Sequence, residues 1–427
     1  MTSTTCFSRR NKISLFLFLG QKEKEMNIFL SLFLIFGGGI LGGYVFDKIK
    51  LPKLVWYMIL GILMGPSLLN IVDDTLLSIS SSLRQIALVI ILTRSGLSLD
   101  IHQLRKIGRP AILMCFVPAC FEMLGVAIFA PLFFGISTLE ALLLGSVLAA
   151  VSPAVVVPRM IRLMEKGYGK GHGVPELVMA GSSCDDVFVI VLFYSFKNLV
   201  ATSTFSAWGI AQIPISIVTG IALGVAIGFL MVLILRYLKL GKVASTIFML
   251  GISLGMIALE TFLKPYFSIS SLLGVIAMAL IVSIFRKEEA KEIQKSYNAL
   301  WQGFEILLFA LVGIATDVHY AFSQEGAILV GLIFLALIFR SVGVLVCLIA
   351  TKFTGKEKLF IVISYLPKAT VQASIGAIAL SEGLACGTLV LTAAVVSILF
   401  TAPLGAILMD SLYKKLLTQD SEEAVGS

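Results

Sequence analysis

Apolar residues along this chain gather in runs long enough to cross a bilayer, separated by short polar stretches. The runs begin near Asn27, Lys53, Arg84, Pro110, Leu139, Val174, Ile210, Val243, Ile269, Ala299, Ala327, Leu359 and Gly387. The pattern predicts an all-α polytopic membrane protein with about 13 transmembrane helices. Two of these runs are interrupted. The fifth contains VSPAVVVP, with Pro153 and Pro158, and the twelfth contains YLPKATVQA, with Pro367. Proline inside a span frees backbone groups and breaks the helix.

The loops alternate in charge. One side carries Lys48, Lys50 and Lys53; Arg105, Lys106 and Arg109; Arg159, Arg162, Lys166 and Lys170; and Arg236, Lys239 and Lys242. It continues with Arg286, Lys287, Lys291 and Lys295; Lys352, Lys356 and Lys358; and Lys414 and Lys415. The other side, apart from the N-terminal tail, carries Arg84, Lys197 and Lys264. Twenty-two against three is a strong positive-inside bias, and it predicts a cytoplasmic C-terminus with the first span starting outside.

Composition agrees. Of 427 residues, 58% are hydrophobic and 14% charged, and the mean hydropathy is +1.00. A soluble domain cannot hide that much apolar surface. The net charge of +8 lies in loops between apolar runs, so it records membrane orientation and does not predict a nucleic-acid partner. The six cysteines form no CxxC pair. Cys115, Cys120, Cys184 and Cys347 fall inside apolar runs and read as small buried residues, with neither a disulfide nor a bound metal or other cofactor implied.

An internal repeat organises the chain. The third run ends SGLSLDI, with Gly96 and Asp100, and the tenth ends VGIATDV, with Gly313 and Asp317, at an offset of 217 residues. Glu122 answers to Arg340 at an offset of 218, and the next run in each half is broken by proline. The reading is two six-span units joined by a single linking span, which turns the second unit upside down. Inverted repeats with broken helices at corresponding positions mark secondary transporters that bind near the bilayer midplane.

Few ionisable residues remain at depth: Glu122, Asp185, Asp186, Glu305, Arg340 and Lys368, with Arg94 at a margin. Such groups within spans are functional candidates. Asp185 and Asp186 stand side by side in GSSCDDVF. Successive helical residues point about 100° apart, so one acid faces a cavity while its neighbour meets a cation or a helix end. Burial and like-charge proximity both disfavour double ionisation. A proton and a metal ion therefore compete for the same oxygens, and the pair titrates as a unit. A fixed, structural carboxylate pair is the other reading. Glu122 and Arg340 read as a buried ion pair clamping two helices, or else Arg340 competes with the cation for an aspartate. Lys368 is placed to neutralise the C-terminal end of a half-helix. Glu305 is either an auxiliary acid or a polar contact between spans. Asp100 and Asp317 read as helix-end residues.

At this point the chain resembles the monovalent cation/proton antiporter superfamily, from about Asn27 to the end of the last run. LPKLVWYMILGILMGPSLL resembles the second-span motif of that superfamily. SPAVVVPRMIRLMEKGYG followed by PELVMAGSSCDDVFVIVLF, together with YLPKATVQASIG, looks most like its double-aspartate branch, the NHA-type sodium/hydrogen exchangers and their bacterial relatives. The resemblance implies a homodimer in the inner (plasma) membrane. It implies dimerisation spans at 27–100 and 243–318, an ion-carrying core at 108–200 and 326–412, a linker at 208–240 and a short tail at 413–427. Two discontinuous helices would cross in the core, which would slide as an elevator. Asp186 would be the main ligand for Na⁺ or Li⁺ and the proton carrier, with Asp185 its partner. Ser152 and Pro153 would lie at the first break and Lys368 at the second, with Ser182 in support. Glu122 and Arg340 match a paired acid and base. Other double-aspartate antiporters carry a lysine where Arg340 stands, and arginine is far harder to deprotonate.

The expected activity is therefore exchange of Na⁺ or Li⁺ for H⁺, with K⁺/H⁺ exchange or sodium-coupled solute symport as alternatives. An intramembrane aspartyl protease would need its two acids on facing helices, not adjacent. The tail is at odds with the charge bias, since Arg9, Arg10, Lys12, Lys22 and Lys24 would have to be exported. Translation from Met26 would remove residues 1–25 and the conflict. Mass spectrometry of the native N-terminus should then find no peptide from Thr2 to Lys24, and recovering one would refute that start.

Overall fold

The structure is a computed structural model, and it describes residues 27–98, 107–169, 171–202, 207–238, 241–263 and 269–419. Asp100 and the N-terminal tail lie outside these. The described residues form helices and turns, apart from one isolated bridge between Tyr168 and Gln419.

The first half of the chain comprises α1 (Ile28–Lys48), α2 (Lys53–Met64), α3 (Asp74–Ser98), α4 (Arg109–Met114), α5 (Val117–Phe134), α6 (Thr138–Leu148), α7 (Pro153–Glu165) and α8 (Val174–Thr202). Next come α9 (Ala207–Leu238), α10 (Lys242–Leu263), α11 (Ser271–Phe285) and α12 (Lys287–Ile314). The rest are α13 (Val318–Ala321), α14 (Gln324–Cys347), α15 (Gly355–Ser364), α16 (Thr370–Ile375), α17 (Ile378–Ser381) and α18 (Gly387–Leu416). Among the described residues, ten helical segments are long and apolar enough to cross a membrane, counting α4–α5 and α6–α7 each as one crossing. Three shorter apolar segments, Lys53–Met64, Ser271–Phe285 and Thr370–Ser381, fall at the second, ninth and twelfth expected runs.

Two boundaries differ from the expectation for a clear reason. α3 starts at Asp74, ten residues before Arg84, because its first turns are polar (DTLLSISSSL) and are set by capping: Thr75 N–H donates to Asp73 Oδ1 at 2.9 Å. Arg84 therefore sits buried in mid-helix and not in a loop. α12 starts at Lys287, twelve residues before Ala299. Its opening is amphipathic and is held by Lys291–Glu288 (3.0 Å) and Lys295–Glu292 (2.8 Å) pairs one turn apart. Lys197, also expected in a loop, lies near the end of α8 and pairs with Glu382 at 2.7 Å. Asp317 caps α13, accepting from Tyr320 N–H at 3.1 Å.

Packing follows the repeat. α5 lies against its counterpart α14; α3 packs on α11, and their counterparts α12 and α2 pack on each other, the exchange a twofold relation demands. The helices gather into two bundles. One is built by α1–α3 and α9–α12, the other by α4–α8 and α14–α18. They meet along a thinner seam where α16 crosses α3 and α12. Loops expected to be basic converge on one face: Arg159 meets Asp410 (3.2 Å) and His172 meets Glu357 (2.9 Å). On the opposite face Asp73 N–H meets Ser31 Oγ (3.0 Å), and Ser67 Oγ meets the Thr316 carbonyl (3.1 Å).

α2 and α12 cross with their backbones in contact. A Cβ on Gly61 would run into the Ala310 carbonyl, and one on Gly313 into the Met58 carbonyl. Small residues at such crossings replace the hydrophobic force that lipid cannot supply. Gly61→Val should therefore lower the melting temperature of detergent-purified protein by several degrees, consistent with overpacking costs of about 1–3 kcal/mol. An unchanged melting temperature would mean the crossing relaxes freely.

Candidate functional site

The fifth run stops being helical at Leu148 and resumes at Pro153; the twelfth stops at Ser364 and resumes at Thr370. Backbone groups freed at such breaks have no water to turn to and need partners from the protein. At the first break, the Leu148 carbonyl accepts from Lys368 Nζ, the Ala149 carbonyl from Arg340 Nη1, and the Ala150 carbonyl from Gln372 Nε2 (2.8 Å). The Val151 N–H donates to Asp185 Oδ2 (2.9 Å), and the Ser152 N–H donates to the Pro367 carbonyl (2.8 Å). That last bond ties the two breaks together directly. At the second break, the Tyr365 carbonyl accepts from Arg340 Nε (2.8 Å), and the Lys368 N–H donates to Thr401 Oγ1 (2.9 Å). Lys368 and Arg340 thus place positive charge at the C-terminal end of α6, where the helix dipole is negative.

Four charges form one buried network around these bonds. Arg340 Nη1 lies 2.9 Å from Glu122 Oε2, Arg340 Nη2 lies 2.9 Å from Asp185 Oδ2, and Lys368 Nζ lies 2.6 Å from Glu122 Oε1. All four side chains are 0% exposed. Arg340 therefore does not divide the two sequence readings: it clamps Glu122 and holds Asp185 at once. Two carboxylates and two cations balance within this network, and Asp186 stands outside it.

Asp186 faces a cavity of about 550 Å³ between the two bundles. One wall is α7, α8 and Thr370 of α16; the other is α3 and α12, with Arg94, Trp301 and Glu305. Ser98 and Gln294, from the ends of α3 and α12 on the basic face, mark the side to which it leads. Arg94 stacks over Trp301, with its guanidinium carbon 5.2 Å from the ring centroid. Pro153 lines the wall just beyond the first break. Ser182 and Ser183 both donate to the Met179 carbonyl (3.1 and 3.0 Å), but Ser183 lines the cavity and Ser182, one helical step away, does not.

Among the described residues, several buried oxygens near the breaks have no hydrogen-bond partner: Ser152 Oγ, Asp185 Oδ1, Asp186 Oδ1, Thr370 Oγ1 and Gln372 Oε1. Native proteins leave few such atoms. Thr370 and Gln372 escaped the sequence reading because they carry no charge. Their presence in YLPKATVQA, polar residues just after a helix-breaking proline, was the available signal.

Helical bundles joined along a seam, with two interrupted helices bonded to each other beside buried acids, define a secondary transporter. The model of the family described as "Sodium/hydrogen exchanger, transmembrane" matches residues 18–412, and the chain belongs to that family. It is 33% identical over 414 residues to sodium/hydrogen exchanger 9B2 of Mus musculus, covering 93% of this chain and 75% of that protein. With sodium/hydrogen exchanger 9B1 of Homo sapiens it shares 33% over 431 residues, covering 94% and 80%. The sodium proton antiporter MjNhaP1 of Methanocaldococcus jannaschii, solved at pH 8, has the same fold, with a TM-score of 0.79 at 19% identity over 90% of this chain and 97% of that one. The chain is thus a multi-pass membrane transporter of the cation/proton antiport class, not an enzyme.

Removing Arg340 would take from Asp185 its paired cation, leave Glu122 with Lys368 alone, and bare two carbonyls. Breaking a buried pair in this way costs about 3–5 kcal/mol. Arg340→Ala should therefore lower thermal stability at least as strongly as it lowers exchange. Lost exchange with an unchanged melting temperature would assign Arg340 to transport alone.

Proposed function

We propose that this protein exchanges Na⁺ or Li⁺ for H⁺ at Asp186, with Asp185 held by Arg340 as its partner. The observation that carries the reading is the set of buried, unpartnered oxygens at the crossed breaks, led by Asp186 Oδ1 on a cavity wall. Small hard cations take oxygen ligands of this kind. With the other four charges balanced, Asp186 needs one positive charge before the bundle can cross the seam, and either a proton or a cation supplies it. Both at once are excluded by their competition for the same oxygens. Exchange follows.

The motion we infer is an elevator: the bundle of α4–α8 and α14–α18 slides along the bundle of α1–α3 and α9–α12. Support comes from the thin seam between them and from a cavity walled by both. By similarity to the family, the second bundle would also join two copies into a dimer. The concentration of basic residues on one side, with Arg84 and Lys197 now within helices, supports a cytoplasmic C-terminus and an N-terminus outside, in a plasma or inner membrane.

The test is cation binding to purified protein across the neutral pH range, followed by exchange in proteoliposomes. The apparent dissociation constant for Na⁺ should rise as pH falls, approaching about tenfold per unit where one cation displaces one proton. Asp186→Asn should fold, bind no Na⁺ and exchange nothing. Running the assay with Na⁺, Li⁺ and K⁺ ranks the cations. Sodium affinity that does not vary with pH, or exchange surviving in Asp186→Asn, would overturn the proposal.

A further inference from the structure

A second cavity, of about 240 Å³, lies on the same seam toward the face opposite the basic loops. Its walls come from α3, α8, α10 and α11 and from the end of the interrupted helix, with Ser374 and Ser381. Two carboxylates line it, and both are committed. Glu382 pairs with Lys197 at 2.7 Å, and Glu260 accepts from the Ser271 N–H at 2.9 Å and from the Ser271 hydroxyl. Arg84 lines the cavity too, at 8% exposure. Among the described residues its one hydrogen bond is a marginal 3.5 Å contact from Nη1 to the Leu311 carbonyl, and it makes no ion pair. A guanidinium buried at that depth without a carboxylate is costly, so it calls for a partner that this state does not provide.

The spacing of charged groups along the seam names one. Arg84 and Arg94 stand ten residues apart on α3, a rise of about 15 Å. Arg94 lines the cavity that holds Asp186, and its charge acts on Asp186. On the facing helix α8, Asp186 lines the first cavity and Tyr194 the second. Those two are eight residues apart, about 12 Å. α3 and α8 run in opposite directions across the membrane, and each cavity joins one residue from each: Arg94 and Asp186 line the first, Arg84 and Tyr194 the second. A slide of the moving bundle by roughly that rise would carry Asp186 from the level of Arg94 to that of Arg84.

We propose that Arg84 is the second station for the ion site: a positioning residue that faces Asp186 once the site opens away from the basic loops. It there stabilises the unoccupied carboxylate and so weakens cation binding at that face alone. The proposal rests on the alternating-access reading above. Arg84 touches no substrate in the present state and acts through the charge of Asp186.

The experiment measures the KM for Na⁺ at each face separately, in right-side-out and inside-out vesicles, for wild type, Arg84→Gln, Arg84→Met and Arg84→Lys. With Arg84→Gln or Arg84→Met, the KM at the face opposite the basic loops should fall about five-fold or more, the scale of one partly screened charge contact. The KM at the basic face should stay unchanged, and Arg84→Lys should keep the wild-type values. Arg94→Gln should give the mirror result, with its change confined to the basic face. Both neutral Arg84 variants should melt no lower than wild type, since they remove a buried charge that has no partner. Failure of both to fold, equal KM shifts at the two faces, or no shift at either would each overturn the proposal. Wild-type protein that exchanges nothing from either face would overturn the transport reading instead.

Discussion

Four hydrogen bonds from Arg340 reach two carboxylates and two of the carbonyls that the interrupted helices leave bare, and the geometry of the site depends on them. A break in a membrane helix survives only where protein replaces the missing intrahelical bonds. Here each break is completed by the other. Lys368 and Gln372, from the second, cap carbonyls of the first, and the Ser152 N–H of the first caps Pro367 of the second. Arginine suits this task because its planar fork serves several acceptors at fixed angles and keeps its charge. A lysine at this position would offer a point charge and fewer directed bonds.

Electrostatic balance follows from the same contacts. Glu122 and Asp185 are matched by Arg340 and Lys368, so the network is internally neutral although all four side chains are buried. Asp186 stands outside that balance and on a cavity wall. Its neighbour bonds to the helix break, whereas Asp186, also buried, lines the cavity. Two adjacent aspartates thus meet different surroundings, as the 100° step of a helix allows.

Much of this was legible in the chain. Long apolar runs placed the helices, and two prolines at matching positions placed the breaks. The nearly constant offset between the halves set Glu122 and Arg340 at equivalent positions. Lys368 reaching Glu122 was not legible, because nothing in the repeat relates those two positions. Thr370 and Gln372 were missed because an uncharged polar residue barely disturbs an apolar run. Arg84 is hidden for the opposite reason. A charge ordinarily marks the edge of a span, whereas here capping and local hydrogen bonds carry the helix ten residues further. The start of α12 was hidden likewise, its first turns being stabilised by charge pairs and not by lipid.

The mutual capping of the two breaks has a thermodynamic corollary. Two breaks that are bonded to each other cannot loosen on one side to release a cargo and tighten on the other to catch the next. The intrinsic preference for a given ion is then a property of the pocket, identical wherever the pocket is presented. Under the proposed elevator motion, any asymmetry between the two compartments would come from the stationary helices it passes, and the net direction of flow from the two ion gradients alone.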